Sequence, residues 1–137
     1  MQLNPYIIFN GNCEEALKFY EKALGGEIGQ LSRYADVPDN QMGMGPQKIM
    51  HTHFNVGGNM LFMASDGPSD ANDSGMVSLS LNFTDAGSIG AAFAALSDGG
   101  TVTMPLQDTF WGATFGMLKD QFGIKWMFNY DKPKTEK

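Results

Sequence analysis

The only two histidines of this chain are His51 and His53. They are two positions apart in a predicted strand, so both side chains point to one face of a sheet. Two imidazoles on one face can bind zinc, with Asp66 or Asp108 as a possible third ligand. The same spacing is common for structural or surface histidines, and His51 could instead bind a ligand or exchange a proton near neutral pH. The sequence leaves these alternatives open.

Three other polar positions could do chemistry. Cys13 stands at the start of a predicted helix, where the helix dipole lowers the pKa of a thiol, but two adjacent glutamates oppose that effect. The pair Ser65 and Asp66 precedes a glycine and is predicted to form a turn rather than half of a catalytic triad. Arg33, in a predicted strand, could anchor an anionic substrate through its guanidinium, although an exposed sheet edge explains it equally well.

Aromatic residues are concentrated in the segment DTFWGATFGMLKDQFGIKWMFNY, residues 108–130. Its two aromatic pairs are Phe110 with Trp111 and Trp126 with Phe128. If Phe110 and Trp111 are consecutive on a strand, they face opposite sides, so one fills the core while the other faces a cavity. The alternative for all four is a structural role in the core or at a dimer contact.

The bulk composition excludes several classes of function. A chain of 137 residues forms one domain, or two small modules that share a core. The net charge is −6 and the nine basic residues form no dense run, which argues against nucleic acid and anionic membranes as partners. No apolar run is long enough to cross a bilayer, and the N-terminus does not resemble a signal peptide. The single cysteine, Cys13, fits a reducing compartment, so we predict a cytoplasmic protein.

Residues of the same type recur at an offset of 74 positions, which indicates an internal repeat. The matched pairs are Phe9 and Phe83, Phe19 and Phe93, Gly25 and Gly99, and Gly26 and Gly100. Each pair falls at the same point in the same succession of predicted elements. The chain is therefore predicted to contain two copies of one module.

Each copy is predicted to be a βαβββ unit, which makes the fold class α+β with curved antiparallel or mixed sheets. In the first copy, strands at residues 5–9, 27–34, 49–56 and 60–64 accompany a helix that starts at the N-cap Asn12, with Glu15 completing a capping box. In the second copy, Asp85 is the cap, and the strands are residues 77–83, 101–107, 113–118 and 125–130. We predict one structural domain, made of a first module (1–66), a linker (67–76), a second module (77–130) and a frayed tail (131–137).

The segment 35–48, ADVPDNQMGMGPQK, contains two prolines and two glycines and cannot form regular structure. It is predicted to be a solvated loop. The alternatives are a flap over the sheet, with Met42 and Met44 as contacts to an apolar ligand, and a dimer contact. No glycine-rich turn connects a strand to a helix, so a nucleotide-type methyl donor is not expected.

Three segments resemble the PhnB-like branch of the vicinal oxygen chelate superfamily, the glyoxalase/bleomycin resistance/dioxygenase group. They are PYIIFNGNCEEALKFYEKALGGE, MHTHFNVGGNMLFMASD and DTFWGATFGMLKDQFGIKWMFN, and together they span nearly the whole chain. The resemblance implies paired βαβββ modules and a homodimer. It also implies a metal bound by His, Gln or Glu on the first and fourth strands of each module.

At those positions this sequence departs from the family. The first position falls at Pro5, its counterpart falls within residues 77–81, and the usual final glutamate is replaced by Met127. Residues 60–64 offer no acid either. Because proline has no side-chain donor and a thioether is a poor ligand for hard cations, we predict no metal and no other cofactor.

The leading hypothesis is therefore a PhnB-like protein that binds a small organic molecule in an apolar, aromatic-lined cleft. The predicted ligand-binding residues are His51, Phe110, Trp111, Trp126, Phe128 and Arg33. The alternative is a metal-dependent lyase or dioxygenase with a relocated site at His51 and His53. A third possibility is a structural or partner-binding module, so whether the protein is an enzyme stays open.

Overall fold

The computed structural model describes residues 1–36, 44–67 and 75–133. The chain divides into two compact units, Met1–Asp70 and Ala71–Lys137, and this boundary lies within the predicted linker. The first unit contains β1 (Tyr6–Phe9), α1 (Cys13–Leu24), β2 (Glu27–Ile28), β3 (Ser32–Arg33), a short 3-10 helix (Tyr34–Asp36), β4 (Ile49–Val56) and β5 (Asn59–Asp66). The second contains β6 (Leu79–Phe83), α2 (Ala86–Ser97), β7 (Thr101–Asp108), β8 (Ala113–Lys119) and β9 (Lys125–Asp131). The predicted α+β fold of two modules is confirmed.

The two units have the same strand order. In the first, the order is β1-β5-β4-β2, with β3 also paired to β4, and in the second it is β6-β9-β8-β7. In each sheet the first strand runs parallel to its neighbour, as β1 does to β5 and β6 to β9, while the other pairs are antiparallel. This parallel pairing needs a crossover connection, which begins with α1 after β1 and with α2 after β6.

The prediction of one continuous strand at residues 27–34 is wrong. The structure has two short strands there, β2 and β3, and both pair with β4. The register of β3 shifts between Ser32 and Arg33, which interrupts the ladder. Between the two strands, Gly29 donates its N–H to the carbonyl of His53 at 2.8 Å. The imidazole of His53 lies where a Cβ at position 29 would be, so a larger residue there would displace this side chain.

The predicted capping box of α1 is also wrong. Asn12 makes no side-chain cap hydrogen bond. The carboxylate of Asp66, at the end of β5, instead accepts a hydrogen bond from the N–H of Cys13 at 2.8 Å. An acid that is distant in sequence thus satisfies the free N–H at the helix start. The predicted cap of α2 is confirmed, since Asp85 accepts from the N–H groups of Gly87 and Ser88.

The glycines of the repeat explain why the modules match. Gly25 and Gly99 have φ angles of 69° and 75°, the left-handed conformation that ends a helix. Gly26 and Gly100 each lie close to a neighbouring strand of their own sheet, because an added Cβ would meet the carbonyl oxygen of Asn55 on β4 or of Lys119 on β8. Both glycine pairs therefore have structural roles that are the same in the two copies.

Each helix packs on one face of its own sheet through aromatic side chains. In the first unit, Tyr20 of α1 contacts Phe54 and Phe62, with ring centroids 6.4 and 5.9 Å away. In the second unit, Phe93 of α2 lies 5.0 Å from Phe128 in an edge-to-face contact. Because successive strand residues alternate in direction, the other residues of these strands form a second face, here called the open face of each sheet.

Candidate functional site

The open face of the first sheet carries the two histidines. Thr52 and Phe54 are buried on the helix side of β4, so His51 and His53 point to the other side, as predicted for two residues at this spacing. His51 lies close to Tyr6 of β1, whose hydroxyl is 3.2 Å from Nδ1 of the imidazole. Tyr6 is 44% exposed, so this polar pair lies at the surface of the sheet.

Among the residues that the structure describes, no third metal ligand joins the two histidines. His53 packs over the backbone at Gly29, where there is no room for a Cβ. Within residues 1–36, 44–67 and 75–133, no three His, Cys, Asp or Glu side chains are grouped closely enough to hold a metal ion. The metal alternative at His51 and His53 therefore stays a prediction without a supporting arrangement.

The residues at the family's metal positions do not fit a divalent cation. Pro5 directly precedes β1, and its carbonyl oxygen is already an acceptor for the N–H of Met63 at 3.0 Å. Met127 lies on β9 and offers only a thioether. Pro5 and Met127 thus offer none of the imidazole and carboxylate donors that the resemblance implies for these positions.

Arg33 is on β3, as the sequence predicts, but its guanidinium is engaged within the protein. Nη1 and Nη2 donate to the two carboxylate oxygens of Glu14 at 3.0 and 3.1 Å, and Nη1 also donates to the carbonyl of Gln47 at 2.6 Å. These bonds lower the pKa of the Glu14 carboxyl below its usual value. An anionic substrate would have to compete with Glu14, so anchoring by Arg33 stays a prediction.

A small polar cleft of about 250 Å³ lies beside the start of α1 and was not predicted. Three of its four charged lining residues have partners among the residues that the structure describes. Glu14 binds Arg33, Lys48 donates to the carbonyl of Gly11 at 2.8 Å, and Asp66 is bound by backbone N–H groups. These bonds tie β5, β4 and α1 together, so the bonded groups have a structural role.

Cys13 and the Ser65–Asp66 pair are structural. The thiol of Cys13 is fully buried, and burial, together with the negative charges of Asp66 and Glu14, raises its pKa. The thiol therefore stays protonated at neutral pH and is a poor nucleophile. The predicted turn at Ser65 and Asp66 is wrong, because both residues lie within β5.

The predicted strand position of Phe110 and Trp111 is wrong. Both residues lie in the turn between β7 and β8, and both are exposed, at 96% and 59%. Their rings form an edge-to-face contact with centroids 5.0 Å apart. Trp111 also contacts Phe115 of β8 at 6.4 Å. A tight turn thus presents both aromatic rings to solvent, instead of dividing them between two faces of a strand.

Phe115 places this turn at the open face of the second sheet. Its neighbour Gly116 faces α2, because an added Cβ would lie 2.9 Å from the ring of Phe93. Phe115 therefore points away from the helix. The ladder sets Met104 and Met127 beside Met117 on the same face. Half-buried methionines and one phenylalanine thus line this open face next to the exposed Trp111.

Trp126 and Phe128 lie on the opposite side of the same sheet, in the core. Their exposed fractions are 2% and 0%. Phe128 packs on Phe93, and the indole N–H of Trp126 donates to the carboxylate of Asp120 at 2.8 Å. They fill the interior of the second unit and present no surface to a ligand, so their burial does not fit the predicted ligand-binding role.

Residues 2–128 match the sequence model of a known protein family, the Glyoxalase/Bleomycin resistance protein/Dioxygenase superfamily. The chain belongs to this superfamily. The predicted resemblance is thereby confirmed, and the repeated modules are the superfamily's fold.

Relatives within the superfamily match the chain along its length. Protein YjdN of Escherichia coli is 30% identical, and the match covers 96% of this chain and 97% of that protein. The crystal structure of PA1353 from Pseudomonas aeruginosa is 39% identical with a TM-score of 0.83, covering 97% of this chain and 99% of that one. The PhnB protein of Bacillus cereus is 26% identical with a TM-score of 0.79, covering 95% and 99%.

The similarity makes this a PhnB-like superfamily member, but it assigns no reaction. The Bacillus cereus protein carries the name 3-demethylubiquinone-9 3-methyltransferase, which describes that protein. No helix among the described residues is long and apolar enough to cross a membrane.

Proposed function

We propose that this PhnB-like protein binds a small aromatic organic molecule on the open face of its second sheet, without a metal. The observation that carries the proposal is Trp111, which is 59% exposed and adjoins Phe115. A surface tryptophan held by a second ring offers a flat, apolar platform whose hydration is lost when a ligand stacks on it. The three neighbouring methionines supply an adaptable apolar floor.

The other site residues fit this proposal to different degrees. Phe110 contacts Trp111 and is 96% exposed, so it can hold the tryptophan ring or contact the ligand. His51 and Arg33 belong to the first unit. A role for either residue in ligand binding would therefore be a polar contact away from the second sheet, and it stays a prediction.

We also infer that the protein acts as a homodimer, as the resemblance implies. The buried, unpaired Cys13 supports a reducing compartment such as the cytoplasm.

The proposed binding is tested with the dye anilinonaphthalene sulfonate, whose emission rises when its aromatic rings leave water. The wild-type protein should bind the dye in its native state, and Trp111→Ala should weaken binding about 2- to 12-fold. This range corresponds to the roughly 0.5–1.5 kcal/mol of an aromatic pair. Val102→Ala is the matched control, because Val102 is also an exposed apolar residue of this unit, at 42%.

Two results would contradict the proposal. The first is equal dye affinity for the wild type and Trp111→Ala. The second is an equal loss in Val102→Ala, which would indicate general surface adsorption. The metal-dependent alternative makes a different prediction. Replacing His51 and His53 with alanine should then abolish a lyase or dioxygenase activity and leave dye binding unchanged.

A further inference from the structure

One row of side chains on the open face of the second sheet combines aromatic and amide groups. Asn82 of β6, Asn129 of β9, Phe115 of β8 and Gln107 of β7 are consecutive partners across the four strands. Adjacent strands are about 4.8 Å apart, so Asn82 and Phe115 are about 10 Å apart across the sheet. A bicyclic molecule that stacks near Phe115 therefore reaches the two asparagines.

The hydrogen bonds of Asn129 fix the orientation of both amides. Its Nδ2 donates to Oδ1 of Asp131 and to Oδ1 of Asn82, each at 3.2 Å. A carboxylate only accepts hydrogen bonds, so the amide nitrogen of Asn129 has to face Asp131. The same nitrogen then requires the oxygen of Asn82 as its second partner.

This orientation leaves a defined pattern of polar groups on the sheet. Both N–H groups of the Asn129 amide are used, and its carbonyl oxygen has no partner among the described residues. The NH₂ group of Asn82, an exposed residue, also has none among them. One donor on Asn82 and one acceptor on Asn129 thus remain on paired residues, in the same row as Phe115.

We propose that the ligand is a planar aromatic compound with an amide edge, such as a lactam or a carboxamide. Its carbonyl oxygen accepts from the NH₂ of Asn82, its N–H donates to the carbonyl of Asn129, and its ring stacks near Trp111 and Phe115. This inference rests on the proposed binding function and names the ligand class of the same site. Asn82 and Asn129 determine specificity, while the aromatic residues supply general affinity.

The test compares three bicyclic probes: isoquinolinone, N-methylisoquinolinone and naphthalene. Binding is followed by the indole N–H NMR signal of Trp111, with the buried Trp126 as internal reference. Isoquinolinone should bind more tightly than naphthalene, and the N-methyl compound should bind less tightly than isoquinolinone because it cannot donate to Asn129. Each lost hydrogen bond should weaken binding about 2- to 12-fold.

Asn82→Asp isolates the proposed donor. Its carboxylate can still accept from Asn129, but it has no NH₂ to donate. This variant should weaken isoquinolinone binding about 2- to 12-fold and leave naphthalene binding unchanged. Ser80→Ala, on the same strand and face, is the control and should affect neither probe.

The outcomes separate the two levels of the proposal. If naphthalene shifts the Trp111 signal but isoquinolinone binds no more tightly, or if Asn82→Asp affects both probes equally, the amide inference is overturned and the binding function stands. If no probe shifts the Trp111 signal of the wild-type protein, both fail. Asn82→Leu removes both the donor and the oxygen that Asn129 binds, without adding a charge, and it should weaken isoquinolinone binding but not naphthalene binding; equal effects on both probes would overturn the amide inference.

Discussion

Replacing Asp66 with alanine should strongly destabilise the first unit. The Asp66 side chain is 1% exposed and joins three elements. One carboxylate oxygen accepts from the N–H of Cys13 at 2.8 Å, and the other accepts from the N–H of Ile49 at 2.9 Å. The backbone carbonyl of Asp66 also accepts from the hydroxyl of Tyr34 at 2.7 Å. The carboxylate therefore connects the end of β5 to the start of α1 and the start of β4.

The magnitude follows from the two donors that alanine leaves behind. Each buried N–H without a partner costs about 1–3 kcal/mol, so Asp66→Ala should lower the free energy of unfolding by about 2–6 kcal/mol. Loss of a negative charge at the helix start adds to this effect. A domain of this kind is stable by only about 5–15 kcal/mol, so the loss is a large share of the total. The free energy of unfolding of Asp66→Asn should lie between those of the wild type and Asp66→Ala. The amide oxygen can accept from one of the two N–H groups, but the amide nitrogen faces the other with a donor.

The assay is urea unfolding followed by far-ultraviolet circular dichroism. With an m-value of about 2 kcal/mol/M, the midpoint of Asp66→Ala should fall by about 1–3 M. Asp85→Ala is the matched control, since Asp85 also caps a helix but is exposed. Amide exchange should accelerate most at Cys13 and Ile49. A midpoint shift no larger than that of Asp85→Ala, or unchanged protection at both amides, would refute the reasoning.

Two further predictions concern the first unit. Arg33 lowers the pKa of Glu14 in the folded state, so this pair stabilises the protein above the unfolded pKa of about 4.3 and the stabilisation is lost as pH falls through the folded pKa. The stability difference between wild type and Glu14→Gln, from urea midpoints, should therefore shrink below about pH 4; a constant difference would contradict it. Gly26→Ala should lower the melting temperature more than Gly25→Ala, because its Cβ would lie 2.5 Å from the carbonyl oxygen of Asn55, whereas Gly25 has open space and only its φ of 69°. Equal losses would show that the close approach is relieved at little cost.

Periodic and local signals predicted the architecture well. The repeat of glycines at one offset located both helix ends, and the cap at Asp85 was predictable because its partners are two and three residues away. The cap of α1 was not predictable in the same way. Its acceptor is Asp66, which is 53 residues from Cys13, and no local pattern indicates a contact over that distance.

The site was less predictable because it depends on which side of a strand each residue faces. The spacing of His51 and His53 gave their shared face correctly. The aromatic pairs were harder, since hydrophobic residues have the same sequence signature in a core strand and in an exposed turn. Trp126 is buried and Trp111 is exposed, and only the position of the turn before β8 distinguishes them. The sequence did not predict the row that contains Asn82 and Asn129, because its members are neighbours in the sheet but distant in the chain.

The two units share one scaffold and carry different side chains on their open faces. Both use glycine at the helix end and the same strand order, so the fold does not depend on what the open face carries. Where the superfamily uses imidazole and carboxylate ligands, this chain has Pro5 and Met127. Neither side chain is a ligand for a hard cation, and in the function that we propose, recognition comes from stacking and hydrogen bonding. The second sheet supplies both beside Trp111, and this combination makes it the more informative of the two faces for ligand screening.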